Sequence, residues 1–171
     1  MFRRSGHLRI GLLAIGLAIV PLSGCTMANF GDPGAFGSAG GRVAELNAKE
    51  SYTIDGALDE ARSHFRENNF GYSAAYYKRA MELSPKTKEA YVGLAASYDR
   101  LGRYDLSDRV YSALHKLSGE SVQYYNNLGY SYMLRGNLPA AAKAFRRAKA
   151  LDPDNEIVDN NLMLLSKATR A

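Results

Sequence analysis

From Ile54 onward the sequence superimposes on itself at a shift of 34 residues. Tyr91, Leu94, Tyr98, Gly102, Tyr111, Leu114 and Gly119 recur as Tyr125, Leu128, Tyr132, Gly136, Phe145, Ala148 and Pro153. One period earlier stand Ala57, Glu60, His64, Asn68, Tyr77, Ala80 and Pro85. A fixed period of this length strongly constrains the fold. Each unit is one supersecondary piece that cannot bury its apolar face alone, so burial comes from stacking on the next unit.

The pattern resembles the tetratricopeptide repeat: W-x2-L-G-x2-Y, a glycine, A-x3-F-x2-A, then proline. The third copy is the cleanest, with Tyr125, Leu128, Gly129, Tyr132, Gly136, Ala141, Phe145, Ala148 and Pro153. The second has Ala95 for the first glycine and Ser107 for the alanine. The first is degenerate, with Glu60 and His64 at core positions. The resemblance implies an all-α solenoid of three helix pairs plus a C-terminal capping helix. Its domain covers 46–171, with repeats at about 54–87, 88–121 and 122–155 and the cap at 156–168. The spacing predicts helices near 55–67, 71–83, 88–101, 105–117, 122–135, 138–150 and 155–168. A short helix over Arg42 to Ser51 is expected to pack on the first repeat. Small residues (Ala61, Ala95, Gly129, Ala80, Ala148) are expected where helices cross closely, and the aromatics between successive repeats. Gly102 and Gly136 end first helices, and Pro85 and Pro153 stop second helices.

The first 25 residues have a different logic. Arg3, Arg4 and Arg9 precede eleven uncharged apolar or glycine residues, Ile10 to Val20. A basic stretch, a short apolar run and small residues make a secretory signal. The run falls short of the about 20 residues needed to span a bilayer. Leu22-Ser23-Gly24-Cys25 resembles the bacterial lipobox, which implies a signal peptide over 1–24 and a covalent lipid on Cys25. A plain secretory signal with a chance cysteine, or an uncleaved anchor, is the alternative. The box is favoured because it sits where the apolar run ends and holds the only cysteine in the chain. By resemblance to sorted lipoproteins, Thr26 after the cysteine points to the outer membrane, lipid-anchored on its periplasmic face. Five glycines with Pro33 and Ser38 between Gly31 and Gly41 predict a flexible tether over 25–45. A flexible chain of about 20 residues has a root-mean-square span of roughly 25 Å.

Charge adds little. The net charge of +5 falls to +2 once the signal is removed, because Arg3, Arg4 and Arg9 leave with it. No nucleic-acid partner is expected of an exported lipoprotein. One cysteine and three histidines (His7, His64, His115) leave little for a metal site. No catalytic constellation is visible, so no enzymatic activity, small-molecule substrate or cofactor is expected beyond the lipid on Cys25. His64 falls at a repeat core position and reads as a packing residue.

In this architecture the first helix of each pair lines a concave groove. By resemblance, the groove residues are Leu58, Arg62 and Phe65, then Val92, Ala96 and Asp99. Asn126, Asn127, Tyr130 and Met133 follow, then Asn160, Asn161 and Leu164. The asparagine pairs recur at the repeat spacing, so their amides are expected to form a ladder on one wall. Amides with a donor and an acceptor suit the backbone of a peptide; helix capping or solvation accounts for them equally. No lysine stands at these positions, so a lysine clamp on a C-terminal carboxylate is not supported.

Two stretches resemble one family more closely. These are Gly93-Leu94-Ala95-Ala96-Ser97-Tyr98-Asp99-Arg100-Leu101 and Asn126-Asn127-Leu128-Gly129-Tyr130-Ser131-Tyr132-Met133-Leu134-Arg135-Gly136. With Asp152-Pro153-Asp154-Asn155 and Asn160-Asn161-Leu162 they are similar to the TadD family, tetratricopeptide lipoproteins of tight-adherence (Flp) pilus assembly. The resemblance implies a pilotin-like adaptor whose partner is a secretin or another pilus-assembly component. A general periplasmic scaffold in envelope or cell-wall assembly is the alternative.

Overall fold

The computed structural model describes residues 41–47 and 51–170. The expected signal peptide, Cys25 and most of the tether lie outside the described residues. Among the described residues seven helices follow one another: α1 (Ile54–Arg66), α2 (Phe70–Leu83), α3 (Lys88–Arg100), α4 (Tyr104–Ser118), α5 (Val122–Leu134), α6 (Leu138–Leu151) and α7 (Glu156–Ala168). The fold is all-α with the tetratricopeptide arrangement, three antiparallel pairs followed by a seventh helix.

The turn inside each pair shows why the period is kept. Asn68, Gly102 and Gly136 are 34 residues apart and share a positive φ, of 61°, 70° and 76°. Left-handed backbone costs glycine little and asparagine less than most residues. It lets the next amide reach back over the helix end: Asn69 N–H donates to His64, Arg103 to Tyr98 and Asn137 to Tyr132, each at 2.8 Å. At the far ends of α2 and α6, Pro85 and Pro153 hold the preceding Ser84 and Asp152 extended, both at φ −145° and ψ 93°. α4 has no such proline. It runs one residue further in register, to Ser118, and stops at Gly119 with φ 66°.

Packing follows from residue size. Gly93 of α3 lies under the Tyr77 ring of α2, where a Cβ would overlap the ring. Gly129 of α5 lies under Phe145 of α6, where a Cβ would come within 2.6 Å of Cδ1. Ala61, Ala80, Ala95 and Ala148 are fully buried, as their places in the repeat require. Phe145 is fully buried too, against Gly129 of its own repeat and in one core cluster with Leu165 of α7. α1, α3, α5 and α7 approach one another in turn, with no comparable approach among α2, α4 and α6. The crowded layer is the inside of the curve, so the first helices form the concave wall.

Residues 41–47 are not helical, contrary to the expectation for Arg42 to Ser51. Gly41 N–H donates to Leu101 at 2.9 Å and Ala44 N–H to Gly71 at 3.1 Å, while Val43 packs on the core. Helical hydrogen bonding is replaced by bonds to the turn edge of the first two repeats. The Arg42 carbonyl sits against Gly71, where a Cβ would come within 2.5 Å.

Candidate functional site

The groove wall is uneven along its length. On α1, Arg62 is locked: its Nε and Nη2 donate to Glu89 at 2.6 and 2.9 Å, and Nη1 to Asp59 at 2.6 Å. The hydrogen bond to Glu89 raises the Arg62 guanidinium and lowers the Glu89 carboxyl. Phe65 packs edge-on against Phe70 at 5.2 Å between centroids. Arg100 lies over that same Phe70 ring at 4.6 Å. Val92 of α3 is partly buried against the core, and Ala96 is half-buried beside it in sequence.

Two expected groove residues are not on the wall. Leu58 is 6% exposed and belongs to the core. Asp99 is 3% exposed. Its Oδ1 accepts from Ser107 at 2.6 Å and Ser131 at 2.8 Å, and its Oδ2 from Tyr111 at 3.3 Å. Arg135 approaches Oδ1 at 3.4 Å while forking onto Asp108 at 2.9 and 3.0 Å. Burial pushes the Asp99 carboxyl up, against the pull of Ser107, Ser131, Arg135 and Tyr111. Burial also drives the Tyr111 phenol well up, with Asp99 adding to the effect, which keeps it a proton donor. A buried carboxylate survives only with such donors around it.

The C-terminal half of the wall is open. Asn161 Nδ2 donates to Asn126 Oδ1 at 2.8 Å, tying α7 to α5 across 35 residues of sequence. One rung of the expected amide ladder is therefore present. It leaves the Asn126 amide donors and the Asn161 carbonyl unused among the described residues, a donor and an acceptor side by side. Asn127 contributes its backbone carbonyl to the Tyr111 hydroxyl at 3.3 Å. Tyr130 is 38% exposed and Leu164 45%. Asn160 is exposed on α7, and Met133 is partly buried against the second core cluster. Ile157, which the sequence reading omitted, is 65% exposed one helical heptad before Leu164. An i, i+7 pair lies on one helix face. The residues named in this half of the wall carry no charge, and a polar clasp lies among apolar side chains.

Among the described residues no group of three metal-ligating side chains converges, and no helix is long and apolar enough to cross a membrane. His64 stacks on Tyr72 and on Tyr76, at 5.1 and 5.4 Å between centroids, as a packing residue would.

The tetratricopeptide repeat family matches this chain twice, over residues 58–113 and over 122–155. The chain belongs to the tetratricopeptide repeat family. Among curated relatives, the small glutamine-rich tetratricopeptide repeat-containing protein 2 of Mycosarcoma maydis is 22% identical over 103 residues. That match covers 60% of this chain and 29% of the relative. This tetratricopeptide chain thus spans under a third of that relative's length. Among solved structures, the first tetratricopeptide domain of human RPAP3 superimposes with a TM-score of 0.60 at 19% identity, covering 68% of this chain and 92% of that one. The Yersinia enterocolitica type III secretion chaperone SycD, in complex with a peptide of the translocator YopD, gives 0.58 at 16% identity, covering 71% and 92%. At these identities the likeness is one of fold. Tetratricopeptide proteins are protein-interaction modules, generally without catalysis, and that is the class to which this chain belongs.

Proposed function

We propose that this chain is a non-catalytic adaptor held at the outer membrane by lipid on Cys25. It captures a segment of a pilus-assembly protein, a secretin first of all, in the C-terminal half of its groove. The observation that carries the groove reading is the Asn126–Asn161 clasp, with its unused donor and acceptor beside exposed Tyr130 and Leu164. A peptide backbone offers the complementary donor and acceptor, and apolar side chains beside it cover Tyr130 and Leu164. A solved neighbour of the same fold, the type III secretion chaperone SycD, is in complex with a peptide of the translocator YopD, which supports peptide capture in an export setting. The pilus and membrane assignments rest on the lipobox and on the resemblance to the TadD family.

Purified secretin incubated with the mature chain tests the assignment directly. The expected result is co-purification, together with loss of secretin multimers in a strain lacking the chain. No enrichment with normal multimers would sink the pilotin reading. The anchor has its own test: a Cys25→Ala chain is expected to take up no labelled palmitate, and persistent labelling would refute acylation there.

A further inference from the structure

Residues 34 apart occupy equivalent places, so the three junctions between successive units can be compared atom by atom. At the first, the Ser73 and Ser97 hydroxyls meet at 2.9 Å, fully buried. At the second, their equivalents are Ser107 and Ser131. Those two each donate to Asp99 Oδ1, which sits between them. At the third, the equivalents are Ala141 and Leu165, and the contact is apolar.

The second junction differs in its packing too. The buried apolar core divides there: one cluster runs from Ala57 to Leu114, and the other holds Ala141, Phe145 and Leu165. Only the edge of α5, through Tyr124 and Leu128, packs on the first cluster. α4 and α5 approach each other far less than α2 and α3 do. Two substitutions explain the gap. Gly93, which lets Tyr77 lie flat on α3, is replaced in register by Asn127 under Tyr111. The proline that stops α2 and α6 is replaced by Gly119. A cleft of about 140 Å³ lined by Leu114, Ser118, Ser121 and Tyr124 opens beside it.

We infer that the second junction is an adjustable joint in the groove, and that Asp99 is the positioning residue that sets it. This rests on the groove reading given above. A polar joint has directional bonds with a few discrete arrangements, whereas an interdigitated apolar junction resists sliding. Arg62, Val92 and Ala96 lie before the joint, and Asn126, Tyr130 and Leu164 after it. The setting of Asp99 therefore fixes the separation of the two groove halves.

The joint can be read without any partner, so it and the groove reading fail separately. In the mature chain with Cys25→Ser, spin labels at Glu60→Cys and Lys143→Cys span the joint. Labels at Glu60→Cys and Arg109→Cys stay within the first two repeats. Asp99→Ala removes the wedge and is expected to shift the spanning distance by several ångströms while leaving the internal distance unchanged. Asp99→Asn keeps an oxygen between the serines and is expected to restore the original distance. An unchanged spanning distance in Asp99→Ala, or an equal shift in the internal pair, overturns the proposal. If Asp99→Ala does not fold, Ser131→Ala removes one of the two donors. It is expected to broaden the spanning distribution alone, and an unbroadened one overturns the proposal equally.

Discussion

Asp99 shows how one residue departs from its register. Its equivalents are Phe65 and Met133, both apolar, so a carboxylate there is out of pattern. The structure resolves the conflict by burying it among four donors. Groups facing it are Ser107 and Tyr111 from α4, with Tyr104 at that helix start, and Ser131 and Arg135 from α5 and its end, Arg135 being shared with Asp108. Since its folded value is raised, its contribution to stability is full below the ordinary carboxylate value and is lost as pH rises through the raised one. Glu89, lowered by Arg62, works in the opposite sense and loses its contribution as pH falls. Urea unfolding of wild type and Asp99→Asn across pH isolates the Asp99 part. The wild type is predicted to lose stability relative to the variant as pH rises from about 4. Parallel profiles would contradict the burial argument. The signals for this network were present in the sequence: an acid in an apolar register and Ser107 in the alanine place. They were missed because a groove position is normally exposed, whereas here the hydroxyls of α4 and α5 draw the carboxylate inward.

Among the elements, helix limits were legible to within one residue at every end. Glycine, asparagine and proline act locally at those ends, through φ, and local rules need no tertiary knowledge. The stretch at 41–47 was misread because its amides bond to Leu101 and Gly71, partners that are invisible from its own composition. How closely neighbouring helices pack was also not legible, although single residues set it. Gly93 is the clearest case. Alanine or valine there gains about 0.5–1 kcal/mol or less in helix propensity. Overpacking against a ring that is 6% exposed costs about 1–3 kcal/mol or more. The clash wins, so Gly93→Val is predicted to lower the urea midpoint at unchanged m-value. A midpoint equal to wild type would mean that Tyr77 has room to move.

For the whole molecule, the repeat made the all-α fold and its layer of first helices legible. It did not predict that Arg62 would be ion-paired in the N-terminal half of the wall while Tyr130, Ile157 and Leu164 stand exposed in the C-terminal half. Arg62 is held by Asp59 and Glu89, which leaves its charge balanced rather than offered to a ligand. Exposed ion pairs of this kind contribute about 1 kcal/mol or less to stability, so their effect here is mainly on what the groove presents. What remains open is the clasp of Asn126 and Asn161 with Tyr130, Ile157 and Leu164 around it. The account therefore stands on capture by α5 and α7. The most direct measurement is binding of purified secretin to the mature chain and to its Asn126→Ala/Tyr130→Ala variant, with helicity followed by circular dichroism. The account predicts at least about tenfold weaker binding, near 1.4 kcal/mol, at unchanged helicity. Equal affinity in the two chains would contradict it.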